Sequence, residues 1–238
     1  MTLRLVHTND LHDRFPEKTV KKLAGGDTLL LDSGDAIGGS NTAFRLREPI
    51  LARMREAGYA AMAMGNREFH YLRGVLAGRQ RAAGFPILAA NLSDLRKKLT
   101  VADRLTILKN GVAVGLFGLT VPQYPAGSPW EKWAGWRFSN PVETAAAVSE
   151  KLRSDGAQIV ICLSHLGLAA DLRLAESGAR IDLILGGHSH TILPRPLQKN
   201  GAAVIQGGAY GRFVGFWEIK AEGGGWTVDG ELVRSDGD

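Results

Sequence analysis

The chain of 238 residues has a single cysteine, Cys162, which excludes an intrachain disulfide framework and any thiolate cluster for a metal. Its setting in AQIVICLSH reads as that of a small buried hydrophobe. No apolar run approaches the roughly 20 residues of a membrane-spanning helix. The N-terminus opens directly into TLRLVH, a strand pattern, with no basic segment, apolar segment and cleavage site of a leader. These absences lead to the expectation of a cytoplasmic protein with no membrane partner. Charge of one sign is also sparse: 29 Lys and Arg stand against 24 Asp and Glu, a net of +5. Beyond Arg96-Lys97-Lys98 the basic residues are scattered, so a nucleic-acid partner is not implied. A modest positive balance suits a small anionic ligand, and equally an arginine-rich proteome. Repeats, low-complexity blocks and linkers are absent too. With 45% hydrophobic residues, one domain over 1–238 is the expectation.

What is present is an alternation of short apolar runs and helical patterns. Strand candidates cover residues 3–7, 27–32, 60–64, 158–163 and 181–185. Helical periodicity covers residues 18–23, 44–56, 68–81, 142–154 and 169–176. Asn140-Pro141 is a suitable start for the fourth helix, since Asn caps and Pro fits the first turn. Asn110-Gly111 inside residues 107–118 signals a two-residue hairpin. Residues 201–207, 212–221 and 226–234 read as successive strands in a terminal antiparallel section. Strand–loop–helix alternation predicts an α/β layered fold, with ligands gathered beyond the carboxyl ends of the strands.

Five polar clusters sit at those ends: HTNDLHD with Asp10 and His12, LDSGD with Asp35, MGNREF with Asn66, CLSHLG with His165, and GGHSH with His188 and His190. Asp10 and His12 flank Leu11, and His188 and His190 flank Ser189; in an extended segment residues two apart share a side. Asp35 follows a Ser-Gly turn that brings a carboxylate out on a tight loop, where it can bridge two cations. Each motif alone is commonplace, because paired histidines and Ser-Gly-Asp turns abound on loops. The coincidence of all of them after strands is what points to a metal site. Mixed Asp, His and Asn ligation suits Mn, Fe, Co or Zn. Two divalent cations sharing a carboxylate point to phosphate-ester hydrolysis.

These blocks, with ANL at 90–92 and QGGAYGRFVGFWEI at 206–219, resemble the calcineurin-like metallophosphoesterases, in particular the catalytic domain of the 5'-nucleotidase branch. The resemblance implies a four-layer sandwich, two facing mixed β-sheets flanked by helices, with a dinuclear centre at one rim. It implies one cation on Asp10, His12, Asp35 and His190, and a second on Asp35, Asn66, His165 and His188. A metal-bound hydroxide would attack phosphorus in line, on a small phosphate ester such as a nucleotide.

Two departures stand out. Where the family reads Gly-Asn-His-Glu-Phe-Asp, this chain reads Gly65-Asn66-Arg67-Glu68-Phe69-His70. The resemblance makes the missing histidine a transition-state or leaving-group residue. Arg67 does not serve as an acid, yet it can grip a phosphate oxygen. His70 is expected in the first helical turn on roughly the same side. The readings that follow are Arg67 as a charge clamp, His70 as the acid of a reversed dyad, a site that binds phosphate with poor turnover, and Arg67 merely paired with Glu68 or another acid beside a solvated His70. If neither group protonates the leaving oxygen, a phosphodiesterase with good leaving groups, or a metal-containing phosphate-binding module, becomes the alternative. The second departure expected is that no base-stacking C-terminal domain like that of the larger members accompanies these residues. Residues 124–136 carry three Trp, and Trp130 and Trp133 on a Pro/Gly-rich loop are candidates for an aromatic wall; anchoring of the loop to the core or to a partner subunit is the competing reading.

Overall fold

The computed structural model describes residues 1–43, 45 and 47–235. In chain order its elements are β1 (Thr2–Thr8), α1 (Glu17–Leu23), β2 (Thr28–Asp32), α2 (Pro49–Ala57), β3 (Tyr59–Ala63), α3 (Arg73–Ala83), β4 (Ile87–Leu88), β5 (Leu92–Asp94), β6 (Arg104–Lys109) and β7 (Val112–Thr120), then α4 (Pro129–Ala134), β8 (Trp136–Phe138), α5 (Pro141–Ser154), β9 (Ile159–His165), α6 (Leu168–Glu176), β10 (Leu183–Gly186), β11 (Leu197–Lys199), β12 (Ala202–Ile205), β13 (Phe213–Glu222) and β14 (Gly225–Arg234). They form two six-stranded mixed sheets, β14-β13-β1-β2-β3-β4 and β11-β12-β10-β9-β7-β6, with β5 and β8 as a separate pair.

Period-two patterning decides the layering. Leu3, Leu5, Leu29 and Leu31 of the first sheet meet Val114, Leu116, Ile159, Ile161, Leu163 and Leu183 of the second in one central apolar layer. The alternate residues Val6, Leu30 and Met62 face outward onto Val20 of α1, Ile50, Leu51 and Met54 of α2, and Leu76 of α3. On the opposite flank Phe117, Val160, Cys162 and Ile184 meet Ala145 and Leu152 of α5 and Leu174 of α6. The expected four-layer sandwich is therefore what these residues build, and Cys162 is the buried hydrophobe anticipated. Both faces of the central strands β2, β9 and β10 are buried, which is why these parallel strands are nearly continuous in apolar residues.

Several local expectations hold. Asn140 caps α5, its Oδ1 accepting from Val142 N at 2.9 Å. Asn110 and Gly111 both have positive φ in a two-residue turn between Lys109 and Val112, as a type I′ hairpin requires. Others need correction. The pattern at 44–56 becomes helical only at Pro49; Phe44 lies outside the described residues. The pattern at 68–81 becomes helical only at Arg73. The terminal strands are not one antiparallel section: β12 joins β10 in parallel, while β13 crosses to the other sheet and pairs antiparallel with β1. The loop at 124–136 contains a short helix, Pro129–Ala134.

Candidate metal centre

Strands β1, β2 and β3 are parallel neighbours in one sheet, and β9 and β10 are parallel neighbours in the other, so their carboxyl ends open onto one rim. The loops leaving those ends interlock. Asp10 N donates to Gly34 O at 2.9 Å, His12 N to Asp35 O at 3.0 Å, and Tyr210 N to Asp10 O at 2.8 Å. Gly34 and Gly65 permit the closest approach: a Cβ on Gly34, at φ +92°, would lie 2.7 Å from Gly65 N.

The side chains converge in two groups. In the first, His12 Nε2 and His190 Nε2 are 3.1 Å apart, and Asp10 Oδ1 lies 3.4 Å from His190 Nε2 and 3.9 Å from His12 Nε2. In the second, Asn66 Oδ1 lies 3.3 Å from His165 Nε2 and 3.1 Å from His188 Nδ1. Asp35 Oδ1 lies 3.4 Å from His165 Nε2. Asp10, Asp35 and His165 also bring ligand atoms within 4.8 Å of one another, which joins the two groups. All seven sequence-predicted ligands are thus gathered at one place.

Lone-pair atoms facing each other at these separations fit a cation. Ligand atoms about 2.1 Å from a tetrahedral or octahedral ion stand about 3.0–3.4 Å apart. The partners of the remaining atoms agree. Asp10 Oδ2 is held by Asn9 Nδ2 at 2.7 Å and by His188 N at 2.9 Å, whereas the buried Oδ1 has no hydrogen-bond partner. His165 Nδ1 donates to Ser33 O at 2.7 Å, which leaves Nε2 as the lone-pair nitrogen aimed into the cluster. The donor set is oxygen and imidazole nitrogen throughout, the chemistry of Mn, Fe, Co or Zn.

Electrostatics follow from burial and from charge among these groups. Burial raises the Asp10 carboxyl, against the pull of His165 and Asn9. Burial pushes Asp35 up too, but the hydrogen bond and charge of His165 prevail and hold it below the usual carboxylate range. Burial opposes a proton on His165, yet Asp35 and Asp10 outweigh it and raise its pKa to about 9. A proton on Nε2 and a cation against it are alternative answers to the same negative charge. Burial lowers His12 to about 4 and lowers His188, so both imidazoles are neutral donors at neutral pH.

The backbone here departs from the expectation of extended pairs. Asp10, His12, Asp35, His188 and His190 all have left-handed φ, between 47° and 73°. Asp10 and His12 reach one spot because successive residues turn sharply, not because they alternate along a strand. Left-handed backbone in non-glycine residues is costly and is held here by the interlocked loops.

Four residues with supporting contacts escaped the sequence reading. Glu68 is buried and accepts four backbone N–H groups: Asp35 and Gly65 on Oε2 at 2.8 and 2.9 Å, Ala36 and Ile37 on Oε1 at 3.0 and 3.2 Å. It thereby fixes the Asp35 loop against the Asn66 loop. Burial, with the charge of Asp35, raises its pKa to about 7. Asn9 clamps Asp10 and also bonds Gly208 O at 2.7 Å and Gly207 N at 3.0 Å. His7 donates to Ser33 Oγ at 2.9 Å, and Ser33 Oγ donates to Leu185 O at 2.6 Å, which ties the two sheets beneath the cluster. Their positions inside the HTND, LDSGD and GNREF blocks were the only signal.

Arg67 lies at the edge of the cluster. Its Nη1 donates to Gly38 O and Gly39 O at 3.3 and 3.2 Å, its Nε is 3.8 Å from Asp35 Oδ2, and its backbone N donates to Asp35 Oδ1 at 2.7 Å. His70 is not in a helical turn. It is buried in the loop before α3, its Nδ1 accepts from Leu72 N at 3.0 Å, and its Nε2 is buried without a partner. Burial and nearby Arg79 lower its pKa. Among the described residues no hydrogen bond or ion pair joins His70 to Arg67 or to the ligands. The three Trp divide: Trp136 is fully buried with Nε1 donating to Tyr71 O at 3.1 Å, while Trp130 and Trp133 are 61% and 70% exposed and stack edge to face. Core anchoring therefore applies to the Trp136 ring, and among the described residues no ring pair or side-chain hydrogen bond joins Trp130 or Trp133 to a ligand residue.

A sequence model of the calcineurin-like phosphoesterases matches residues 3–191. The chain belongs to the calcineurin-like phosphoesterase family. It is 31% identical to the uncharacterized metallophosphoesterase YunD of Bacillus subtilis, over 92% of this chain and 50% of that protein. It is 28% identical to the snake venom 5'-nucleotidase of Gloydius brevicauda, over 99% of this chain and 47% of that protein. Among solved structures, the 5'-nucleotidase precursor from Thermus thermophilus superposes with a TM-score of 0.83 at 27% identity, covering 99% of this chain and 55% of that one. The chain spans about half the length of the curated relatives it matches. Among the described residues no helix is long and apolar enough to cross a membrane.

Proposed function

We propose that this chain hydrolyses phosphate monoesters in the manner of a 5'-nucleotidase catalytic domain, using two divalent cations drawn from Mn, Fe, Zn or Co. The carrying observation is the convergence of seven donor side chains from five strand ends in two groups, linked through Asp10, Asp35 and His165, with the buried Asp10 Oδ1 unpartnered. One cation would sit on Asp10, His12, Asp35 and His190, the other on Asp35, Asn66, His165 and His188. When bound, the pair supplies Lewis-acid charge for the phosphoryl oxygens and activates a water for attack.

The chain's own groups do the rest. Ser33 O and Glu68 hold His165 and the Asp35 loop in register, so the donors are fixed before substrate arrives. Arg67 is anchored through Nη1 to two carbonyls, which leaves Nε and Nη2 as the edge that takes a phosphoryl oxygen and stabilises charge as it builds. His70 is buried with its Nδ1 taken by Leu72 N, and among the described residues no hydrogen bond or ion pair links it to the ligands, so in this reading departure of the leaving group relies on its own acidity or on solvent. The test is turnover by Mn-loaded protein of p-nitrophenyl phosphate and AMP side by side. Hydrolysis of both supports the nucleotidase reading. Hydrolysis of the activated ester alone restricts the substrate to good leaving groups, and turnover of neither, with metal bound, overturns the proposal.

A further inference from the structure

Beside the cluster, on the side of His12 and His190, lies a cavity of about 850 Å³ lined in part by Asp13, Arg14, Arg53, Tyr210, Arg212 and Arg234. Tyr210 is the partition: its ring centroid lies 5.1 Å from that of His12 and 5.6 Å from that of His190, and the Arg14 guanidinium lies over it at 5.2 Å. Four arginines face one aspartate, and that aspartate is committed to Arg45 at 2.9 Å. Arg53 is offset by Glu17 at 3.1 Å. Among the described residues Arg14, Arg212 and Arg234 have no carboxylate partner; the side-chain hydrogen bond of Arg212 goes to Ala209 O at 3.3 Å. Guanidiniums that line one concavity with no carboxylate partner among the described residues repel one another, and an anion there relieves that repulsion.

The wall is rigidly built. Arg212 immediately precedes β13, Arg234 ends β14, and the pairing of Phe213 with Arg234 and the bond from Ser235 N to Arg212 O at 3.0 Å hold them together. A Cβ on Gly211, at φ +63°, would meet Arg14 O at 2.4 Å, so this turn is pressed against the Arg14 loop. The guanidinium fork suits a phosphoryl group better than a single carboxylate oxygen.

The geometry points to a second phosphate subsite: the cavity holds a further phosphoryl group carried by the leaving group, so the substrates are phosphomonoesters that bear a second phosphate. This rests on the hydrolase reading above and names its substrate class. The experiment compares kcat/KM of Mn-loaded protein for adenosine 3',5'-bisphosphate and AMP, in wild type, in the double variant Arg212→Gln/Arg234→Gln and in the remote surface control Arg180→Gln. Wild type is expected to favour the bisphosphate about 10- to 100-fold through KM, with the double variant losing most of that ratio and the control keeping it. No preference in wild type, or a preference that survives the double substitution, overturns the proposal. Stimulation of AMP hydrolysis by added inorganic phosphate would assign the cavity to a free anion and overturn the substrate assignment. Should p-nitrophenyl phosphate itself not be turned over, the hydrolase reading is what fails, and calorimetric titration of wild type and double variant with the bisphosphate decides the subsite alone: tighter binding than AMP, lost in the variant, supports it, and equal binding refutes it.

Discussion

Replacing Asn9 with Ala should separate the scaffold of the site from its ligands. The side chain makes three bonds in a buried place: Nδ2 to Asp10 Oδ2 and to Gly208 O, both at 2.7 Å, and Oδ1 from Gly207 N at 3.0 Å. Alanine leaves Gly207 N–H and Gly208 C=O without these partners, and Asp10 Oδ2 keeps only His188 N. Each buried group left unpaired costs about 1–3 kcal/mol, which for the two backbone groups gives about 2–6 kcal/mol. For a domain of this size that corresponds to a fall in melting temperature of about 4–24 °C. Partners that orient a ligand typically account for about 10- to 100-fold in metal affinity or activity. Guanidinium unfolding of chelator-treated protein measures the first effect, and Mn titration of the folded variant measures the second. A loss under about 1 kcal/mol with Mn affinity unchanged would refute the reasoning, since it would mean that neither the loop clamp nor the orientation of Asp10 depends on Asn9.

Other outcomes follow from the same contacts. Arg67→His should raise AMP turnover relative to p-nitrophenyl phosphate by at least about 10-fold, because an acid then stands at that position; an unchanged AMP rate would show that the position touches neither phosphoryl nor leaving group. His7 is fully buried and its pKa is lowered to about 3 from 6.5 by burial. The unfolded chain takes up a proton as pH falls below 6.5 while the folded chain does not, so the contribution of His7 is intact above pH 6.5 and lost below it, by about 3 kcal/mol at pH 4.5. Chemical denaturation at pH 7 and pH 4.5 should therefore show wild type losing more stability than His7→Gln, and parallel losses would contradict this. Trp136→Ala should destabilise by about 3–5 kcal/mol, whereas Trp130→Ala and Trp133→Ala should stay within about 0.5 kcal/mol; a selective rise in KM for aromatic esters in the latter two would restore the aromatic wall.

The ligands were legible because each follows a strand, and strand ends in layered α/β folds share a rim. Asp10, Asp35, Asn66 and His165 needed no more than that. His70 was misplaced for a physical reason. The apolar periodicity of 68–81 suggests a helix, but Glu68 turns back onto four backbone N–H groups and Phe69 is drawn into an aromatic cluster with Tyr71, Trp136 and Phe138. The helix cannot begin until both are satisfied, at Arg73. The crossing of β13 to β1 was equally invisible, since pairs such as Val6 with Phe216 and Asn9 with Gly208 join residues about 200 apart that leave no local signature. Cys162 and the Asn110-Gly111 turn, by contrast, depend only on neighbours and were read directly.

The left-handed backbone at five of the ligand positions sets chemistry against endurance. Glycine would relax each of these residues, so substitution there removes a donor and, in the absence of metal, lowers the conformational energy of the folded loop. A library of this protein screened for heat resistance under chelating conditions would drift toward glycine at His12, His188 and His190, whose side chains hold no backbone N–H, rather than at Asp10 and Asp35, whose carboxylates do, and its most durable members would be the ones least able to bind a cation. Directed evolution on this scaffold should therefore keep metal present during every round of selection.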